Sequence, residues 1–557
     1  QGIFQPKTLA LAVALGIASP AYAVTFNIGE VEGQLDSAMS IGASWSTTDR
    51  DMDLVGLANG GTGYTQTGDD GRLNFKKGET FSKIFKGIHD LELRYGDSGA
   101  FIRGKYWYDF ELKDENRLFK DISDNNRKEA AQSSGAQILD AFLYHNYYLG
   151  DLPGTVRLGK QVVSWGESTF IGNSINSINP LDAAAFRRPG AEIKEGLIPV
   201  NMLYVSQSLS DRLSMEAFYQ LEWDQTIIDN CGTFFASNDV AADGCDDNYT
   251  VLSAEQRDGI IGAGATIEQL NALIGADYYA GLDELGITVG PEGVTVPRGG
   301  DRDARDSGQY GLAFRWLADT AEYGVYFMNY HSRTPTVGYK NASAAEIGAL
   351  LGLLGTPSPG GPLPSGAAFS ALASPALLSN GEYFLEYPED IRLYGASFAT
   401  TLPTGTAWSG EMSYRPNLPV SLNSTYTTGL LATGIGGAIA VGNVAGALGQ
   451  AGVEHKGYNR KEVTQIQTTF THFFDQVLGA GRVTVVGEIG YAHVGGLESK
   501  SELRYGRDSI YGLDTAEYGN DGFVTANSWG YRLRALADYS NVFAGVNLTP
   551  NVSFSHD

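Results

Sequence analysis

Residues 31–46 read VEGQLDSAMSIGASWS, and the order of polar and apolar side chains in that stretch decides the class of fold. Odd positions carry Val31, Leu35, Met39, Ile41 and Trp45, while even positions carry Glu32, Gln34, Asp36, Ser40 and Ser44. Successive side chains of a strand point to opposite faces, so this period of two predicts a strand with one greasy and one wet face. The alternation returns at 101–112, where Ile102, Tyr106, Tyr108, Phe110 and Leu112 oppose Arg103, Lys105, Asp109 and Glu111. At 213–224, Leu213, Met215, Ala217, Tyr219, Leu221 and Trp223 oppose Ser214, Glu216, Gln220, Glu222 and Asp224. Similar stretches lie near 407–415, 482–493 and 529–539.

Alternation alone also fits a soluble sheet, so the connections must discriminate. Short turns fall at 96–99, 150–154, 210–211, 317–319, 403–405, 479–481 and 540–541; long connections fall at 47–80, 113–137, 165–201, 225–308, 333–390, 416–461 and 494–528. Strict alternation of tight turns and long loops is the signature of an up-and-down transmembrane barrel, because its two ends face different compartments. One strand before the first long loop and a hairpin after each of the seven predicts 15 visible strands in an all-β antiparallel barrel, some of its external loops being helical. The chain ends at Asp557 inside a strand-like stretch, so we expect about 16 or 18 strands in an intact barrel, truncated here at the C-terminus.

Composition narrows the function. There are 39 Lys+Arg against 64 Asp+Glu, a formal charge of −25, which argues against nucleic-acid binding. Lys7, an apolar run from Leu9 to Ile17 and the small-x-small triplet Ala21-Tyr22-Ala23 predict a cleavable export signal over 1–23 and a barrel over 24–557. Export places Cys231 and Cys245 in an oxidising compartment; a disulfide closing their loop is worth about 3 kcal/mol on the chain-entropy model.

Six ordered motifs carry a resemblance. They are Gly159–Ser168 (GKQVVSWGES), Arg187–Glu192 (RRPGAE), Arg305–Gly311 (RDSGQYG), Asn329–Arg333 (NYHSR), Tyr387–Ile391 (YPEDI) and Ser413–Asn417 (SYRPN). Together, over about 30–557, the chain resembles the Gram-negative family known as domain of unknown function thirteen-oh-two. The resemblance implies an outer-membrane barrel working beside a periplasmic carrier or a pump of the resistance-nodulation-division type, in the traffic of hydrophobic molecules. It supplies no catalytic or ligand-binding residues, and against the family's pattern we expect the final strands to be lacking here.

No catalytic pattern competes. Gly154–Lys160 matches G-x-x-x-x-G-K, but Gln161 replaces the Ser/Thr that would hold magnesium, and the motif opens a strand rather than a helix. None of the seven histidines pairs at helical zinc spacing. His331-Ser332 tempts as a hydrolase dyad, yet adjacent strand residues face opposite ways. We expect no catalytic residues, metal or cofactor.

The segment 165–201 is dense in charge, and its Glu167, Asp182, Arg187, Arg188, Glu192 and Lys194 predict a constriction folded into the lumen. In that reading, Arg187 and Arg188 meet the wall acids Glu216 and Glu222; the alternative is a solvated loop with surface ion pairs worth little. Three further loops are apolar, at 260–288, 343–376 and 427–453. Such surface must be buried in other loops, in the lumen or in a ligand. Leu350, Leu354, Leu431 and Ile435 are the candidate ligand-binding residues. Read as a membrane helix, 427–453 is weakened by its glycines at about 1 kcal/mol each. The sequence therefore predicts an outer-membrane conduit for hydrophobic or amphipathic small molecules, in contact with outer-membrane lipid and lipopolysaccharide. Its rivals are a polar-solute porin, a barrel-embedded lipid hydrolase and a structural barrel.

Overall fold

The structure is a computed structural model that describes residues 24–245, 249–253, 289–290, 293–355, 377–440, 443–513 and 519–557. The predicted export signal and the apolar stretch 260–288 lie outside the described residues.

The wall is an antiparallel meander. Its strands are β1 Val24–Ile28, β2 Val31–Trp45, β3 Thr80–Tyr95, β4 Ser98–Asp109, β5 Ser134–Leu149, β6 Leu152–Gln161, β7 Val200–Ser208 and β8 Leu213–Gln220. It continues with β9 Tyr310–Leu317, β10 Ala321–Tyr330, β11 Ile391–Thr401, β12 Ala407–Ser421, β13 Tyr458–Asp475, β14 Arg482–Gly495 and β15 Asn527–Phe543. Val546–Leu548 and β16 Asn551–His556 both pair with β15 and form one interrupted strand. Every strand hydrogen-bonds to its neighbour in chain order, including β8 to β9 across the longest connection.

The predicted hairpins are present, with local corrections. β1, which the sequence reading did not anticipate, pairs with β2 through a two-residue turn at Gly29-Glu30, where Gly29 takes a positive φ of 63°. β6 ends at Gln161, so the charged connection is 162–199 rather than 165–201. The last turn falls at Ala544-Gly545 rather than 540–541, because the β15 ladder runs on to Phe543.

Pairing keeps one side-chain face continuous around the wall. On one side Phe314, Val325, Ala396, Met412, Ile466, Tyr491 and Trp529 lie in register, and all of these except Phe314 and Ala396 are more than a third exposed. On the other side run Ser397, Glu411, Gln467 and Thr469, all buried, beside Glu488. An exposed apolar face with a buried polar one inverts the arrangement of a soluble barrel and suits a wall set in lipid.

The long loops are folded. Cys231 and Cys245 are disulfide-bonded. Thr336–Lys340 pairs with Glu382–Glu386 and Glu454–His455 in a small external sheet. The apolar stretches form helices α3 Ala344–Gly355, α4 Ser424–Ala440 and α5 Val444–Leu448, after α1 Ala183–Arg187 and α2 Ile193–Gly196 of the connection 162–199. No helix among the described residues is long and apolar enough to cross a membrane.

Candidate functional site: a connection folded into the lumen

Residues 162–199 join two adjacent strands, yet they touch β3, β4, β8, β10, β12, β13 and β14, always on the polar face. A segment tethered between β6 and β7 reaches strands that far along the meander in both directions only if the sheet curls around it. The connection therefore occupies the lumen.

Its first half is held by buried wall carboxylates. Glu488 accepts hydrogen bonds from the backbone N–H groups of Thr169 (3.0 Å), Phe170 (2.6 Å) and Ile171 (2.6 Å), and from the Thr469 hydroxyl. Glu411 accepts from the N–H groups of Glu167, Ser168 (3.1 Å) and Ile175 (3.3 Å), and from the Gln467 amide. Neither has a cationic side chain within 4 Å among the described residues; each buried anion is instead satisfied by four directed donors. Wall donors take the carbonyls: Gln465 donates to Gly172 (2.9 Å), Gln467 to Ile171 (3.1 Å), Arg415 to Asn173 and Arg333 to Ile178 (3.1 Å). A loop with few backbone partners of its own thus acquires them from the barrel, as a buried chain must.

Packing supplements these bonds. Trp165, Ile175 and Ile178 are at most 1% exposed and join Met202, Phe218, Tyr326 and Met328 of the wall in one core. The Trp165 indole N–H donates to Glu216 (2.8 Å).

The second half is held by buried ion pairs. Lys86 of β3 meets Glu195 at 2.7 Å and donates to Gly190 O; Lys105 of β4 meets Asp182 at 2.8 Å and donates to Glu195 O. Asp182 also caps α1 by accepting from Ala185 N. The predicted arginine contacts are corrected. Arg187 pairs with Asp229 and lies over Phe235; Arg188 donates to Ala130 O and stacks on Trp107. Glu216 instead meets Trp165, Tyr204 and Arg315, and Glu222 accepts from Asn201. The wall's partners for the connection are therefore lysines for its acids and acids for its backbone, a division that charge counting did not reveal. Glu192 pairs with Lys194 at 3.2 Å beside α2. Burial pushes the Glu167 carboxyl above its ordinary range, against the pull of Arg315.

Two cavities flank this region. One, of about 70 Å³, lies at the loop end between Phe81, Trp107, Phe234, Phe235, Arg187 and Arg188. The other, of about 510 Å³, lies at the turn end and is lined by Glu92, Arg94, Phe101, Phe142, Tyr144 and Arg157. Of the four candidate ligand-binding residues, Leu350 and Ile435 line neither. Leu350 and Ile435 are buried, with α3 and α4 both packed against α5, so their apolar surface serves loop-to-loop contact. The side chains of Leu354 and Leu431 lie outside the described residues.

The fold also gathers what no local motif announced: Asp69, Asp70 and Asp239 bring one carboxylate oxygen each within 4.8 Å of one another. Asp69 accepts from Gly56 N and Asn59, and Asp239 from Asp70 N and Gly232 N, so the cluster joins two external loops. His331 accepts from Asp390 N through Nδ1 and donates from Nε2 to Ser307 O, while the Ser332 hydroxyl donates to Thr334 O.

A greasy exterior, a polar interior and a connection folded inward define an outer-membrane β-barrel. The chain belongs to the family described as protein of unknown function (DUF1302), matched over residues 5–557. No curated protein matches it. Similar solved structures include OmpF of Salmonella typhi in complex with daunomycin, at 8% identity and TM-score 0.36, covering 95% of this chain and 92% of that one. They also include the outer membrane channel DcaP of Acinetobacter baumannii, at 8% identity and TM-score 0.33 over 94% and 91%. A third is OprB of Pseudomonas putida, at 9% and 0.32 over 94% and 89%. Likenesses at these scores carry nothing about substrate.

Proposed function

We propose that the protein is an outer-membrane channel for hydrophobic or amphipathic small molecules, made with an export signal over 1–23 and closed at rest by residues 162–199. The observation that carries this reading is the attachment of that connection to two buried wall carboxylates and two buried lysines, backed by an apolar core. A polar-solute porin has no need of a lumen sealed by Trp165, Ile175 and Ile178. The aromatic cavity at the mouth offers a first contact for greasy cargo, and delivery goes to a periplasmic carrier or a resistance-nodulation-division pump. The reading requires no chemical step, and both nitrogens of the His331 ring already have backbone partners.

Single-channel recording in planar bilayers tests it. The unmodified protein should be nearly silent. Glu411→Gln combined with Glu488→Gln faces amide NH2 groups against backbone N–H donors, at a cost of about 3 kcal/mol or more, and should open a large conductance, as should deletion of 165–201. Large ohmic conductance in the unmodified protein would instead favour a polar-solute porin.

A further inference from the structure

Most guanidinium groups on the polar face are neutralised or hold backbone. Arg103 pairs with Asp90 and Asp140, Arg315 with Glu216 and Glu322, and Arg333 and Arg415 donate to carbonyls of the connection. Arg188 and Arg157 differ. Arg188 has no carboxylate within 4 Å among the described residues; it makes one hydrogen bond, to Ala130 O, and lies over the Trp107 ring at 4.6 Å. Arg157 has no ion pair or side-chain hydrogen bond among the described residues and lies over Tyr204 at 5.1 Å and Phe142 at 5.6 Å. Each guanidinium lies over aromatic rings and keeps N–H donors that no carboxylate among the described residues accepts, and a guanidinium is the group that binds a carboxylate through paired N–H donors.

Each also borders a cavity, one at the mouth and one at the turn end. The carboxylates in the mouth cavity are already satisfied. Asp109 accepts from the Ser82 hydroxyl and from three backbone N–H groups, and Asp229 is paired with Arg187. At the turn end Glu92 is paired with Arg94. At the turn end the positive charge left over is therefore that of Arg157; in the mouth cavity Asp109 and Asp229 balance Arg187 and Arg188 in charge, and what Arg188 offers there is N–H donors that no carboxylate among the described residues accepts. Stacked Phe81 and Phe234, with Phe235 edge-on, supply an apolar floor beside Arg188. At about 70 Å³ the mouth cavity has room for a head group and the first carbons of a chain.

We infer that the cargo is an amphipathic anion, a carboxylate on an apolar body, received by Arg188 at the mouth and again by Arg157 below the sealed connection. This inference rests on the channel reading above and names the substrate class for it.

The test is calorimetric titration of the protein in lipid nanodiscs with octanoate, 1-octanol and octylamine, with empty nanodiscs subtracted. Octanoate should bind at least tenfold tighter than octanol or octylamine. Arg188→Gln should weaken octanoate at least tenfold and octanol less than twofold, with Arg188→Lys intermediate. Arg157→Gln, at a wall position that touches only rings, should remove the second octanoate site, and heat-modifiable migration verifies that each variant folds. Octanoate affinity within twofold of the unmodified value in the double Arg188→Gln/Arg157→Gln variant overturns the inference. So does octanol or octylamine binding as tightly as octanoate, and so does absence of binding by all three. Equal binding of octanoate and octanol leaves the channel reading standing, because that reading is judged by conductance.

Discussion

Several wall glycines mark where the connection meets the sheet. A Cβ on Gly395 would stand 2.7 Å from Ile175 Cγ1, one on Gly490 2.8 Å from Ile171 Cδ1, and one on Gly311 2.8 Å from Trp165. No real Cβ tolerates such distances, so the connection packs this closely on the wall because these three positions have no side chain. Gly395→Val should overpack the contact by about 1–3 kcal/mol and loosen the connection. The expected readout is roughly tenfold faster trypsin cleavage at Arg187 and Lys194, converting that energy at about 1.4 kcal/mol per decade. Ile175→Ala in the same chain should restore much of the protection. An unchanged cleavage rate for Gly395→Val would place the connection elsewhere. In the sequence these glycines look like ordinary strand interruptions, since their meaning depends on a residue more than a hundred positions away.

Among elements, the external loops depend on one another. Asp239 sits buried beside Asp70 and Asp69, and burial followed by that like charge raises its carboxyl well above the ordinary 3.8. A carboxyl whose folded-state value is raised binds protons more readily in the folded loop than in the unfolded one. Its stabilising effect is present at low pH and is lost as pH rises through the raised value. Limited proteolysis of 46–79 and 221–245 should therefore accelerate between pH 4 and pH 7, and Asp239→Asn should flatten that dependence. Faster cleavage toward acid pH would contradict the sign. Mixed charges and prolines marked the connection as a folded loop but left an inward fold and a solvated external loop both open, and its partners were not legible. Glu411 and Glu488 are two wall acids among many in the sequence, and only the curl of the sheet brings backbone N–H groups to them. The apolar loops were legible as surfaces needing cover; that α3, α4 and α5 cover one another followed only from their packing.

At the scale of the molecule, the wall exposes its apolar register on the outside. Val325 lies midway along β10, flanked in the register by Phe314 and Ala396. Val325→Arg should cost about 2–4 kcal/mol of folding into a bilayer, measured as a lower yield of heat-modifiable protein in lipid vesicles; Ser397→Arg, on the opposite face, tests the lumen side instead. If Val325→Arg folds as well as the parent, that face does not meet lipid.

What the sequence by itself determined is the class of wall. Period-two patterning specifies which face each side chain takes, and the spacing of turns and loops specifies which strands are neighbours; both are local along the chain. It also offered the lumen as one of two places for the charged connection and joined the cysteines in one loop. What only the tertiary structure decided is which groups satisfy one another across the barrel: carboxylates with backbone N–H groups, lysines with the acids of α1 and α2, and two arginines with aromatic rings and no acid. Those pairings join residues up to about three hundred positions apart, and no periodicity encodes them, because they depend on how far the curled sheet carries each strand around its axis.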